Sequence, residues 1–132
     1  MKRFGLSASE RIKSKKEFEL VYSRGEILFS PSNKLKAVFF IDRNPDMIGI
    51  KTAYAVSSKS GNAVWRNRIK RLLRESYRLN KMEINNACII KKLKLLLVFS
   101  PGTLNQTNNK KIFLKDIMNE VTDLLIQIGT KL

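Results

Sequence analysis

Cationic side chains are concentrated in one short stretch of the sequence, and the chemistry that they suit is the binding of phosphate groups. The segment from about Val64 to Met82 has the pattern of a helix, and Glu75 is the only acid that offsets its cations locally. Those cations are Arg66, Arg68, Lys70, Arg71, Arg74 and Arg78. Like charges at i, i+4 destabilise an isolated helix by ~0.2–0.5 kcal/mol per pair, so a fold that retains several such pairs is expected to offer them to a polyanion. The spacing therefore predicts a phosphate-binding face.

The same segment carries an apolar stripe that would seat the helix on a hydrophobic core. At about 100° per residue, one narrow side of the helix collects apolar and small residues. These residues are Trp65, Ile69, Leu72, Leu73 and Ser76. Trp65 is most simply the anchor of the helix. The alternative interpretation of the arginines, a solvated face without a partner, predicts charges of both signs, whereas Glu75 is the only acid.

Two polyanions compete as the partner of so basic a chain. Lys and Arg number 26 against 11 Asp and Glu, which gives a net charge of +15 over 132 residues. An excess of this size indicates either nucleic acid or an anionic membrane surface as the partner. The longest apolar run, Leu95 to Phe99, is far below the ~20 residues that span a bilayer. The narrow apolar stripe of the basic helix also disfavours binding at a membrane surface. We expect nucleic acid, and no membrane.

The sequence offers little for catalysis by the protein itself. It contains no histidine, the commonest general acid–base, and its acidic residues are scattered. No glycine-rich phosphate loop occurs, so we expect no catalytic residue and no metal site on the protein. Cys88 is the single cysteine, which excludes an internal disulfide and fits the cytoplasm. Two alternatives remain: an independent nuclease, because carboxylates distant in sequence can converge in space, and a ribosomal or other general RNA-binding protein.

The elements that must position these side chains follow from periodicity and capping signals. Ser14 and Glu17 have the spacing of a capping box that starts a short helix, and Gly25 stands where its C-terminal cap is expected. The remaining predicted elements are strands at Leu35–Ile41, Ile48–Ser57 and Leu93–Phe99 and a helix at Lys110–Ile128. Whether Ile27 to Phe29 forms a further strand is open. This order predicts one α+β domain over residues 1–132, with helices packed on a small sheet and with residues 1–13 loosely packed.

Aromatic side chains could add base stacking, which is worth ~1–3 kcal/mol per unpaired base. The candidates are Phe18, Tyr22, Phe39 and Phe40. For Phe18 and Tyr22 the competing interpretation is a place in the core, because they share one helix face. Strand alternation sends Phe39 and Phe40 to opposite faces of the sheet, so at least one of them is expected in the core.

The segment from Ser60 to Arg74 resembles the signature of the bacterial ribonuclease P protein subunit, with Arg66-Asn67-Arg68 as its Arg-Asn-Arg motif. The likeness extends along nearly the whole chain. Arg11 to Gly25 resembles the first helix of that family, and Ala55 to Lys59 resembles the strand that leads into the motif.

The resemblance implies a basic subunit of the ribonucleoprotein that removes the 5′ leader from precursor tRNA. In that family the RNA subunit is the catalyst, and hydrolysis depends on Mg²⁺ that is bound mainly by RNA. The protein binds this RNA and contacts the single-stranded leader in a cleft between the first helix and the sheet; no stable protein partner is expected. The fold implied is an α-β-β-β-α-β-α sandwich with a left-handed crossover, of the ribosomal protein S5 domain 2-like type.

The resemblance also assigns residues to these two contacts. Those that match the binding site for the catalytic RNA are Lys59, Arg66, Asn67, Arg68, Lys70, Arg71 and Arg74. Those that match the site for the precursor's leader are Phe18, Tyr22 and Phe40. The chain departs from the family pattern at Ser58, where a basic residue is usual, and at Ala53, where a glycine is usual.

Overall fold

Residues 10–132, the part of the chain that the structure (a computed structural model) describes, form four helices and four strands. The helices are α1 (Lys15–Arg24), α2 (Ala63–Asn80), α3 (Met82–Lys91) and α4 (Leu114–Gly129). The strands are β1 (Glu26–Phe29), β2 (Leu35–Asp42), β3 (Gly49–Tyr54) and β4 (Lys94–Pro101). This is the predicted α+β fold in a single domain, and the strand left open at Ile27 to Phe29 is present as β1.

The strands form one mixed sheet in the order β1-β2-β4-β3. The β1–β2 and β2–β4 pairs are antiparallel, whereas β3 and β4 are parallel. Parallel neighbours require a long crossover connection, and α2 and α3 together provide it. The left-handed sense of this crossover stays a prediction from the family resemblance.

The two faces of the sheet carry different helices. Phe39 and Leu97 lie in the larger core cluster with Ile69 of α2 and Val121 of α4. On the opposite face, a smaller cluster of buried residues packs beneath α1, and its members are Ile12, Val21, Val38, Leu96 and Val98. The sequence left open which of the two consecutive phenylalanines is core: Phe39 is 1% exposed in the larger cluster, and the half-buried Phe40 packs on the smaller one.

The helical boundaries differ from prediction in two places. The basic helix ends at Asn80, whose side-chain amide donates to the Ser76 carbonyl at 2.8 Å, and α3 then follows as a separate helix that the sequence did not reveal. Its start has no side-chain cap and its apolar residues lack clear periodicity. The last helix begins at Leu114 instead of Lys110, because the Asp116 carboxylate accepts from the Phe113 backbone N–H at 3.3 Å and sets the first turn there.

The chain leading into α1 is more ordered than predicted. The Ile12 N–H donates to the Thr52 carbonyl at 3.0 Å, and Ile12 is buried beneath α1. The Lys81 ammonium lies 2.8 Å from the Glu10 carboxylate. The expectation of loose packing is therefore wrong for Glu10 and Ile12, which have partners at the α2–α3 junction and on the sheet, whereas the side chains of residues 11 and 13 are exposed. Residues 1–9, to which the same expectation applied, lie outside the described residues.

Both predicted caps of α1 are confirmed, and the second one fixes how the helix meets the sheet. The Ser14 hydroxyl oxygen accepts from the Glu17 N–H at 3.1 Å, and the Gly25 N–H donates to the Val21 carbonyl at 2.8 Å. A Cβ at Gly25 would lie 2.2 Å from the Val21 carbonyl oxygen and 2.8 Å from that of Phe39. Glycine is needed here because two backbone segments approach closely, without a positive φ angle.

Candidate nucleic-acid interface

The helix α2 turns one side to the core and the other to solvent. Of the predicted apolar stripe, Trp65, Ile69, Leu73 and Ser76 are buried and Leu72 is partly buried. The Asn62 side chain caps the helix by accepting from the Trp65 N–H at 2.9 Å. The packing of this stripe against the sheet and α4 leaves the polar side of α2 free for a ligand.

The side chains predicted to bind the catalytic RNA lie on or beside that polar side, and together they form what we call the basic face. The basic face consists of Lys59, Arg66, Asn67, Arg68, Lys70, Arg71 and Arg74. Arg66 and Lys70 are half-buried, and the other members are exposed. Lys59 lies in the short 3₁₀ turn Ser58–Ser60 just before the helix.

Two arginines of the basic face are oriented by backbone carbonyls. Arg66 donates through Nε to the Gly61 carbonyl at 3.1 Å, and Arg68 donates through Nη2 to the Ile112 carbonyl at 2.6 Å. A guanidinium has five N–H donors, so each side chain keeps most of its donors for a ligand. A neutral carbonyl also leaves the positive charge in place. These bonds therefore position the arginines without neutralising them.

Arg74 is positioned by an aromatic stack that the sequence did not indicate. Its guanidinium carbon lies 5.8 Å from the centre of the Tyr54 ring, and this ring stacks on Phe99 at 6.1 Å with an angle of 9°. Burial raises the pKa of Tyr54 to about 12, so the phenol is neutral at pH 7. The ring therefore supports Arg74 through a cation–π contact and leaves its charge available.

Arg78, one turn further along α2, differs from the arginines of the basic face. Its Nε donates to Glu75 Oε2 at 3.0 Å, and its Nη2 donates to the other oxygen of the same carboxylate. The hydrogen bonds from Arg78 lower the pKa of Glu75, so this carboxylate is ionised at neutral pH. The pair neutralises the end of the helix and marks the limit of the basic face.

The loop that follows β4 forms hydrogen bonds with the start of α2. The Gln106 side-chain oxygen accepts from the Asn62 N–H at 2.8 Å, and the Gln106 N–H donates to the Ser60 carbonyl at 2.7 Å. A Cβ at Gly61 would lie 2.8 Å from the Gln106 Cβ. The sequence did not indicate these contacts, because nothing local shows which residues this loop meets.

The aromatic residues predicted to bind the leader lie on the opposite side of the sheet. Phe18 of α1 and Phe40 of β2 are half-buried and pack against the cluster beneath α1, together with Ala53 of β3. Tyr22, one turn after Phe18, is 56% exposed. We call Phe18, Tyr22 and Phe40 the aromatic face. Phe18 and Phe40 share one apolar cluster, and Tyr22 is the member most open to a ligand.

A compact charge cluster ties the start of α1 to the sheet. The Glu17 carboxylate lies 3.2 Å from the ammonium groups of both Lys51 on β3 and Lys94 on β4. Burial raises the pKa of Glu17, but the hydrogen bonds and charges of Lys94 and Lys51 together outweigh it, so the pKa lies below its usual value. The ionised carboxylate therefore holds two strands and one helix together.

Over residues 10–132, no three side chains of the His, Cys, Asp or Glu type come together in a group that could hold a metal ion. Within that range, no helix combines the length and the apolar character needed to cross a membrane.

Comparison with known proteins gives one consistent family. The model of the family described as Ribonuclease P matches residues 6–123. The chain is 36% identical over 124 residues to the ribonuclease P protein component of Clostridium novyi, which covers 94% of this chain and 97% of that protein. It is 47% identical over 70 residues to the corresponding protein of Clostridium botulinum, over 53% of this chain and 59% of the relative.

Solved structures support the fold independently. The ribonuclease P protein of Thermotoga maritima superposes with a TM-score of 0.68 at 21% identity, over 89% of this chain and 96% of the other. That of Staphylococcus aureus superposes with a TM-score of 0.65 at 23% identity, over 91% and 94% of the two chains. At these identities the superpositions establish the fold alone.

Proposed function

The chain belongs to the ribonuclease P protein family, the protein component of a tRNA-processing ribonucleoprotein, and from this premise we propose how it acts. It binds the catalytic RNA through the basic face and the single-stranded 5′ leader of precursor tRNA through the aromatic face. The observation that carries the proposal is the state of the cations on the basic face. Within residues 10–132, no carboxylate forms an ion pair with any of them, whereas the neighbouring Arg78 is paired with Glu75.

The basic face suits a folded RNA because three of its arginines, Arg66, Arg68 and Arg74, are held in place before the partner arrives. Arginine forks match the geometry of phosphate oxygens, and Asn67 can both donate and accept beside them. Each phosphate that the protein neutralises releases condensed counterions, so binding is expected to weaken steeply as salt is added. Side chains positioned by carbonyls and by the Tyr54 ring lose less freedom on binding.

The aromatic face suits unpaired bases, because every base presents a π-face on which a side chain can stack. Tyr22 supplies an open ring, and the half-buried Phe18 and Phe40 supply an apolar floor beside it. Stacking of this kind is tolerant of sequence, which a protein that handles many different leaders requires.

The chemistry of cleavage belongs, in this proposal, to the RNA subunit. Mg²⁺ is the metal of the holoenzyme and is bound mainly by RNA, and the chain contributes affinity for the two RNA partners and no catalytic residue. The proposal also places the assembled particle in the cytoplasm, where precursor tRNA is made.

Reconstitution with the cognate catalytic RNA tests the proposal. We expect the protein to strengthen the binding of precursor tRNA, but not of mature tRNA, and to sustain cleavage at low Mg²⁺. Equal enhancement for both tRNAs would identify a general RNA-binding protein instead. Cleavage by protein that is rigorously free of RNA would identify an independent nuclease.

Tyr22→Ala isolates the contact with the leader. The side chain is 56% exposed, so truncation is expected to change the free energy of unfolding by no more than ~0.5 kcal/mol. The loss of one stacked base should weaken the holoenzyme's affinity for precursor tRNA by ~1–3 kcal/mol. Tyr22→Phe is the matched control, because it keeps the ring and should keep the affinity. Equal precursor binding by the Ala and Phe variants would remove Tyr22 from the leader site.

A further inference from the structure

The loop between β4 and α4, residues 102–113, is fixed against α2 at two points. The Trp65 indole Nε1–H donates to the Asn109 carbonyl at 2.9 Å, and Arg68 Nη2 donates to the Ile112 carbonyl at 2.6 Å. Trp65 and Ile112 are both buried, which fixes this part of the loop against the core. The residues between these two anchors are thereby held beside Arg68.

Those residues are Lys110 and Lys111. Both are exposed, and over residues 10–132 neither forms a hydrogen bond or an ion pair. The acid closest to them along the chain, Asp116, accepts from the Phe113 backbone N–H and caps α4. Lys110 and Lys111 are therefore held beside Arg68. These three positive charges repel one another unless an anion is present.

The geometry points to a second RNA-contacting segment, in which Lys110 and Lys111 bind phosphates of the same catalytic RNA that occupies the basic face. This inference rests on the proposed function, and it adds a loop that lies more than 30 residues after the motif in sequence. Lysine is suited to this role because it acts as a point charge towards phosphate, without the fixed orientation that an arginine fork requires. Phe113, which is 60% exposed, adds a π-face at the same end of the loop.

A double substitution with a charge-matched control tests the inference. The loop variant, Lys110→Gln with Lys111→Gln, removes the two charges from the loop. The control variant, Lys13→Gln with Lys16→Gln, removes two exposed charges near the start of α1, on the other side of the sheet. Affinity for the catalytic RNA alone is measured across a series of salt concentrations. We expect the loop variant to lower the log–log salt slope by about 2 and to weaken binding roughly thirtyfold near physiological salt. The control should keep the wild-type slope and affinity.

Lysine acetylation gives a second measurement that requires no substitution. With the catalytic RNA bound, Lys110 and Lys111 should be protected from a small acylating reagent, whereas Lys13 and Lys16 should react as in the free protein. Protection confined to the loop lysines supports the inference, and equal reactivity of the four in the complex overturns it.

The outcomes separate this inference from the proposed function. Wild type is expected to bind the catalytic RNA in preference to an unrelated RNA of equal length. If it does, and the loop variant shows the same preference with an unchanged salt slope, the loop contact is wrong and the proposed function stands. If wild type shows no preference, both are wrong. Loss of binding to vesicles of anionic lipid in the loop variant, with RNA binding intact, would assign the two lysines to a membrane and also overturn the inference.

Discussion

The two faces of the sheet treat their charges in opposite ways. On the basic face, arginines contact neutral carbonyls and an aromatic ring and keep their charge. Under α1, Lys51 and Lys94 share the Glu17 carboxylate, so the cations are used within the fold. The difference teaches that the amount of positive charge does not distinguish the two faces by itself. On the proposed binding surface, the fold has oriented three arginines and left the cations without ion-pair partners among residues 10–132.

Aromatic and apolar side chains are also used differently on the two faces. The basic helix uses Trp65 and most of its apolar stripe for packing, so the side proposed to bind RNA is largely polar. On the aromatic face, Phe18 and Phe40 are half-buried in the cluster beneath α1, so each ring lies partly in the core and partly open to solvent. Substitutions on the basic face should therefore separate binding from stability, whereas most substitutions on the aromatic face should affect both.

The largest effect is expected from removing the two oriented arginines together. Arg66→Ala with Arg68→Ala should weaken binding of the catalytic RNA about a hundredfold or more, because two charges and their forked hydrogen bonds are lost. The free energy of unfolding should change by less than ~1 kcal/mol, since each side chain contributes a single partly exposed hydrogen bond to the fold. Titration of labelled RNA and thermal melts measure the two quantities.

Glu75→Gln with Arg78→Gln is the matched control on the same helix. It removes the ion pair as a whole and keeps the net charge, so RNA affinity should change no more than about threefold, which corresponds to less than ~0.7 kcal/mol. Equal losses for the two sets of variants would contradict the distinction between paired and unpaired cations.

A smaller effect, confined to the other face, is expected from Gly25→Ala. The added Cβ would overlap the carbonyl oxygens of Val21 and Phe39, so α1 must shift on the sheet at a cost of ~1–3 kcal/mol in unfolding free energy. Enhancement of precursor binding by the protein should fall, and binding of the catalytic RNA should not. Gly129→Ala is the control, because an added Cβ there meets no atom within 4 Å. If catalytic RNA binding fell as much as precursor binding, the two faces would not be independent.

The parts of this molecule that could be predicted from sequence are those set by local signals. The cap at Ser14 and the stripe on α2 depend on spacing along one helix, so their prediction succeeded. The sequence did not predict that α2 and α3 are separate helices, because Lys81, at the junction, has helical backbone angles and carries no stop signal. The choice between Phe39 and Phe40 could not be made either, because alternation fixes opposite faces without saying which face is core.

The residues that orient the candidate site could not be predicted from the sequence for a related reason. Gln106 is 44 residues from its partner Asn62, and Tyr54 meets Arg74 only because β3 and α2 pack together. Such contacts are created by tertiary structure and have no signature in local composition. The residues proposed to bind were therefore named from the sequence, whereas most of the residues that orient them were found only in the folded chain.

The smallest effect is expected from Glu17→Gln, which tests whether the cations under α1 are committed to the fold. The folded pKa of Glu17 lies below its ordinary value of 4.5, so its contribution to stability is present above that value and is lost as pH falls through the folded pKa. We expect the variant to lose ~1 kcal/mol of unfolding free energy at pH 7. As pH falls below 4.5 and through the folded pKa, the variant should then lose less stability than wild type does, so that the two curves converge. Glu19→Gln, at a carboxylate that is 66% exposed, should follow wild type throughout. Curves that stay parallel for the Glu17 variant would show that Lys51 and Lys94 do not depend on this carboxylate, and they would then be free to bind the leader.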